Sequence, residues 1–245
     1  MPGVLAWAGL LAAAFIGSTI GGVAGFGAGV ILLPTLVWAV GVKATIPTLT
    51  VAMALGNLSR SWWSRRELVW PVVGAYLAGA VPAVAVGAVT YAGVRAEWLS
   101  RIIGAFLLAS VPLRRWLMGR DVRVRLVHFP FVGGFFGFVS ALVATIGPLV
   151  APFFLGYGLR RGAYLGTESL CALGMHLTRA IVFQRYALLT SDTVTVGLAL
   201  GAVMFAGAYA GRRIIDRMSE RGFLLIVEAL LVGLGGYLLL WPSSA

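Results

Sequence analysis

Acidic residues, histidine and cysteine are scarce in this chain: among 245 residues there are eight Asp and Glu, two His and one Cys. The lone Cys171 excludes a disulfide within the chain and, set in an apolar stretch, reads as a buried, inert thiol. His128 and His176 stand far apart, and few acids fall inside apolar stretches, so the clustered ligands of a metal-dependent hydrolase or prenyl transferase are missing. No serine sits in a recognisable nucleophile motif. No cofactor or metal is expected, and an intramembrane enzyme is the remote alternative in class.

Charge of either sign is also sparse, at 11% of residues, against 60% hydrophobic and a mean hydropathy of +0.96. No water-soluble globular domain of this length has such a composition. No polar stretch is long enough for a soluble domain, so 1–245 reads as a single transmembrane domain. The first apolar run, from about Val4 to Gly21, lacks a basic leading region and runs into glycines instead of a cleavage site, so no removable signal peptide is expected. The fold expected is an all-α polytopic membrane protein with apolar segments at 4–24, 29–41, 44–63, 69–91, 97–116, 126–146, 147–158, 163–184, 191–211 and 221–241. Two of these, 29–41 and 147–158, reach only about 18 Å across a hydrocarbon core of about 30 Å. They read as half-helices, each following a glycine-containing break near 25–30 and 144–148.

The formal net charge of +11 is unevenly spread over the connections. One alternate set holds Arg60, Arg65, Arg66, the run "RRWLMGRDVRVR" at 114–125, Arg160, Arg161 and "RRIIDRMSER" at 212–221, whereas the other holds only Lys43, Arg95, Arg101 and Arg185. The positive-inside rule makes the first set cytoplasmic and puts both termini outside, in a multi-pass protein of the cell inner membrane. The basic excess is a topology signal with attraction for anionic lipid headgroups as a secondary effect. Its arginines lack the interleaved aromatics of a nucleic-acid surface, so the lipid bilayer, not nucleic acid, is the expected partner.

The chain also matches itself. When it is shifted by 118 residues, Gly29 and Pro34 of "GFGAGVILLPTL" fall on Gly147 and Pro152 of "TIGPLVAPFF". At a shift of 119, Ala44, Thr48, Asn57 and Arg60 fall on Ala163, Thr167, His176 and Arg179. Repeat 1 covers about 4–118 and repeat 2 about 126–243. The charge pattern starts them on opposite sides of the membrane, an inverted-topology duplication of the kind found in secondary transporters and channels.

Irregular backbone at membrane depth is tolerated only where protein or a water-filled cavity covers it, so the breaks are expected to face inward. Each half-helix start presents unpaired N–H groups and a positive dipole end, and Pro148 suits the first helical position. Two such ends converging make an anion site without a charged side chain. Gly27, Gly29, Val30 and Gly147 are placed at that site, whereas Gly21, Gly22, Gly25, Gly133 and Gly134 are read as allowing helices to pack closely.

Hydroxyls at matching positions, Thr48 and Thr50 against Thr167 and Ser169, with Ser140 and Thr145 beside the second break, either line the site or bond back to carbonyls one turn earlier. Arg60 and Arg179 occupy the same repeat position; each either offers its planar fork to a sulfonate or carboxylate or snorkels to an interface, and Arg179 is the preferred ligand. Glu168 and His176 share its helix and, with Arg60, are candidates for gating or proton coupling, although Glu168 also lies where it reaches water at the cytoplasmic end. Glu228 is a further buried acid, with no partner nameable from sequence.

The glycine-rich break ending in "GAGVILLP", the short helix after it, a helix entered by Gly166, Thr167 and Ser169 with Glu168 between them, the basic turn at Arg65 and Arg66, and a weaker second copy together resemble the TauE/SafE family of sulfite exporters over nearly the whole chain. The resemblance implies transport of small sulfur-containing anions, such as sulfite, sulfoacetate or other organosulfonates, and of related carboxylates. The chain departs from the family pattern at "PTLT" (47–50), which replaces a small-residue entry, and at Glu168. The expectation is a secondary transporter of a small anion working by alternating access about a midplane site, with an anion channel as the alternative mechanism.

Overall fold

The computed structural model describes residues 3–24, 28–120, 122–143, 145–214, 228 and 232–240. The described backbone is mostly helical and contains no strand, with nine α-helices among the described residues: α1 (Val4–Ala24), α2 (Ala28–Val40), α3 (Val42–Trp63), α4 (Trp70–Gly93), α5 (Ala96–Met118), α6 (Phe129–Val143), α7 (Gly147–Gly156), α8 (Arg161–Arg185) and α9 (Ser191–Ile214). Residues 232–240 are also helical. Within α1, α4, α5 and α9, and over Leu126–Val143, the chain is long and apolar enough to cross a membrane. This is a polytopic membrane protein.

The two short helices are where the sequence places them. Helix α2 has 13 residues and α7 has 10, about 20 and 15 Å of rise, so neither crosses a hydrocarbon core. Both contain a proline in mid-helix, Pro34 and Pro152. Helix α7 stops at Gly156 because the connector from α5 crosses it there: Val124 donates its amide to the Gly156 carbonyl at 3.2 Å, and a Cβ on Gly156 would overlap the Val122 carbonyl. After each short helix the chain reverses through a glycine with positive φ, Gly41 at 78° and Gly158 at 102°, a backbone state that costs other residues strain.

The main helix contacts between the two halves of the chain are matched when the halves are exchanged. The first helix of each half lies on the fourth of the other (α1 on α9, α6 on α4), and the third of each half lies on the fourth of the other (α3 on α9, α8 on α4). Helices α3 and α8 pack on one another at the centre. With lipid as apolar as the core, such contacts depend on close van der Waals approach between small residues. A Cβ on Gly79 would overlap the Pro130 carbonyl and one on Gly133 the Tyr76 carbonyl, while one on Gly137 would lie 2.9 Å from the Ala80 carbonyl oxygen. The α1–α9 contact uses the same device, with Gly211 against the Thr19 carbonyl and Gly207 against Ser18. Gly134 turns away, its Cβ position 3.9 Å from the nearest neighbour. Gly25 lies outside the described residues.

Tryptophans stand exposed near helix ends at Trp38, Trp62, Trp98 and Trp116, as at lipid–water interfaces. Arg65 stacks over Trp62, Arg101 over Trp98 and Arg120 over Trp116. Glu228 is paired rather than orphaned: its carboxylate holds the buried Arg114 and the exposed Arg115, both near the end of α5.

Candidate functional site

The starts of the two short helices meet. A Cβ on Gly29, in the first turn of α2, would lie 3.5 Å from both Cβ and Oγ1 of Thr145, two residues before α7 begins. Helix α7 opens with Pro148 in its first turn and no side-chain cap on Ile146. Among the described residues no hydrogen bond is made by the amides of Ile146 and Gly147. Between these starts and the central helices α3 and α8 lies a cavity of about 50 Å³, whose wall includes Gly29, Ser140, Thr145, Gly147 and Arg179. That volume takes about three or four waters, or one small oxyanion.

Arg179 is the principal cation of this wall. It projects from mid-α8 and is 1% exposed, so it does not snorkel. Its Nη2 donates to Ser140 Oγ on α6 at 3.0 Å and its Nη1 to Thr50 Oγ1 on α3 at 3.5 Å, while Nε has no partner. No carboxylate comes within ion-pair distance of it among the described residues. A buried guanidinium is costly unless paired; here neutral hydroxyls and an anion-sized space face it. Ser140 and Thr50 also donate back to the carbonyls of Gly137 and Ile46, each at 2.8 Å, so they do both things that hydroxyls at these positions do.

Arg60, at the matching position on α3, is held differently. It donates to the Gly21 carbonyl at the end of α1 and to Asn57 Oδ1, and its Nη2 lies 3.8 Å from Glu168 Oε2 on α8. Glu168 is buried on the cavity wall, away from the water that its place in the sequence suggested. His176, which corresponds to Asn57, lines the same wall with Nδ1 unpartnered.

The remaining predicted positions stand off the wall. Thr167 accepts the Val69 amide at 3.1 Å, tying α8 to the start of α4. Thr48 is a buried hydroxyl without a partner among the described residues, Ser169 is buried, and Val30 is packed in the core. Gly27 lies outside the described residues. The wall also contains Met53, Tyr76 and Met175, which the sequence did not single out, and the thiol of Cys171. Met175 sulfur accepts weak bonds from Tyr76 and Ser140, each at 3.8 Å. Apolar residues carry no local sign of facing a cavity, but Met53 and Met175 each lie one turn or less from a residue matched between the halves.

A family model described as "Sulfite exporter TauE/SafE" matches residues 10–238. The chain belongs to that family, and its membrane function is of the anion-transporter type. Neither the curated proteins nor the solved structures searched give a match.

Proposed function

We propose that this protein is a secondary transporter for small anions, sulfur-containing ones such as sulfite or organosulfonates first among them, and that the anion binds between the starts of α2 and α7 against Arg179. The observation that carries this reading is the guanidinium of Arg179, buried without a carboxylate beside a cavity of one small oxyanion's size. The helix starts add positive dipole ends aimed at the same space, and Ser140, Thr145 and Thr50 add hydroxyls. Such a site replaces an anion's hydration shell with fixed donors, which a bare apolar channel does not.

The two halves, about 4–118 and about 126–243, act in this reading as inverted repeats that rock about the site, exposing it in turn to each face of the inner membrane. The exchange symmetry of the packing partners supports this. The sidedness, with both termini outside, rests on the arginine distribution. A thermal-shift series on the detergent-purified protein with sulfite, sulfoacetate, taurine, sulfate, thiosulfate and small carboxylates tests the reading, because a ligand bound only by the native state raises its stability. Stabilisation by at least one sulfur oxyanion is expected, lost in Arg179→Ala and kept in Arg160→Ala. No stabilisation by any of them, or equal effects in both variants, would overturn it.

A further inference from the structure

The charges on the cavity wall do not balance. Arg60 and Glu168 oppose each other at 3.8 Å, each side chain about nine-tenths buried, and offset one another. Arg179 has no such counterpart among the described residues. The other titratable groups facing Glu168 are Tyr76 from α4, and Tyr164, Cys171 and His176 on α8 itself. The phenols and the thiol are uncharged at neutral pH. Glu67, before α4, lies beside Gly162 in the first turn of α8. The segments 22–27 and 144 beside the two helix starts contain no ionisable residue in the sequence. With His176 neutral, the wall carries a single net positive charge.

We propose that the cavity selects by charge as well as size: it takes singly charged oxyanions and rejects doubly charged ones of the same shape, with Glu168 as the residue that sets the limit. This rests on the reading of the cavity as the anion site. A monoanion on Arg179 brings the wall to neutrality. A dianion leaves one negative charge unmatched in a cavity that the Glu168 carboxylate also lines, in a space too small to keep a hydration shell. Because the idealised cost of stripping water from an ion grows as the square of its charge, a dianion costs about four times as much to bring in as a monoanion of equal radius. An oxyanion that titrates near neutrality therefore enters in its hydrogen form, as hydrogensulfite and not sulfite, and carries a proton across without any side chain having to titrate.

The test uses the full chain in detergent and two anions of similar size and fixed charge at neutral pH, methanesulfonate and sulfate, with affinities measured by calorimetry for the native protein and for Glu168→Gln. Native protein is expected to bind methanesulfonate at least about tenfold more tightly than sulfate, and Glu168→Gln, which raises the wall's charge by one, to tighten sulfate by about tenfold and close the gap. A second measurement needs no variant: sulfite binding by the native protein should weaken from mildly acidic to mildly alkaline pH while methanesulfonate binding stays level. Equal affinity of the native protein for methanesulfonate and sulfate, an unchanged ratio in a folded Glu168→Gln, or sulfite binding that strengthens with pH would overturn charge selection and leave the anion site standing. Binding of neither methanesulfonate nor sulfate nor sulfite would overturn both.

Discussion

Gly29 and Thr145, 116 positions apart in the chain, are neighbours where the two short helices begin, with room between them for one methyl group at 3.5 Å. The glycines of this protein thus fall into two physical kinds. At Gly29 a side chain meets ordinary contact distances, whereas at Gly79 and Gly133 it meets the backbone of an opposing helix. Gly29→Ala is expected to leave stability within about 0.5 kcal/mol of the native value but to weaken anion binding about tenfold by filling part of the cavity. Gly79→Ala should instead cost at least about 2 kcal/mol through overpacking. Melting temperature and anion affinity measured on both variants check the division; loss of stability in Gly29→Ala with affinity intact would contradict it.

Arg179 should trade stability for binding. Its hydroxyl partners keep their bonds to Gly137 and Ile46 when it is removed, so no acceptor is orphaned. Arg179→Met keeps much of the volume and deletes a buried charge without a carboxylate, which is expected to raise the stability of the anion-free protein by about 1 kcal/mol. The same variant should lose about a hundredfold in anion affinity. Arg179→Lys keeps the charge but not the planar fork and should fall between the two. Melting curves with and without anion read both effects from one sample.

The sequence makes the short helices legible because length, glycine and proline are local properties, and it draws the eye to Arg179 because Thr48, Asn57 and Arg60 fall on Thr167, His176 and Arg179 at a shift of 119. It does not tell which way each hydroxyl faces. In a soluble helix the apolar stripe fixes rotation, but here lipid and protein core are equally apolar and the stripe is absent. Thr48, Thr50, Thr167 and Ser169 therefore read alike, although only Thr50 touches Arg179 and Thr167 is committed to the Val69 amide. Glu228 was illegible for a different reason: its partners, Arg114 and Arg115, lie on a helix in the other half of the chain.

That Glu228 contact gives a prediction independent of transport. Arg114 is 7% exposed and Arg115 is open to water. Glu228→Ala leaves Arg114 buried and unpaired, at an expected cost of about 3 kcal/mol. Arg115→Ala should leave the melting temperature unchanged, because solvent screens an exposed ion pair. Replacing Arg114 and Glu228 together by Met should restore most of what Glu228→Ala loses, since it removes both buried charges. A double variant as unstable as the single one would show that packing, not charge, holds the end of α5.

Carrier and channel make opposite predictions from the same cavity. In a carrier the site opens to one face at a time, and substrate waiting on the far side speeds the return of the binding-competent state. Proteoliposomes preloaded with unlabelled sulfite should therefore take up labelled sulfite several-fold faster than empty ones. An open pore shows no such acceleration, because its flux depends only on the gradient. The packing bears on this choice: helices α4 and α9 each hold the first and third helices of the opposite half, so motion of one half against the other must slide glycine-lined contacts such as Gly79 on Pro130. Overpacking that contact, with Gly134→Ala as the control that meets nothing closer than 3.9 Å, separates the two cases further. A carrier with Gly79→Ala, if folded, should bind anion normally yet lose exchange, whereas a pore would keep its flux in proportion to the protein that folds.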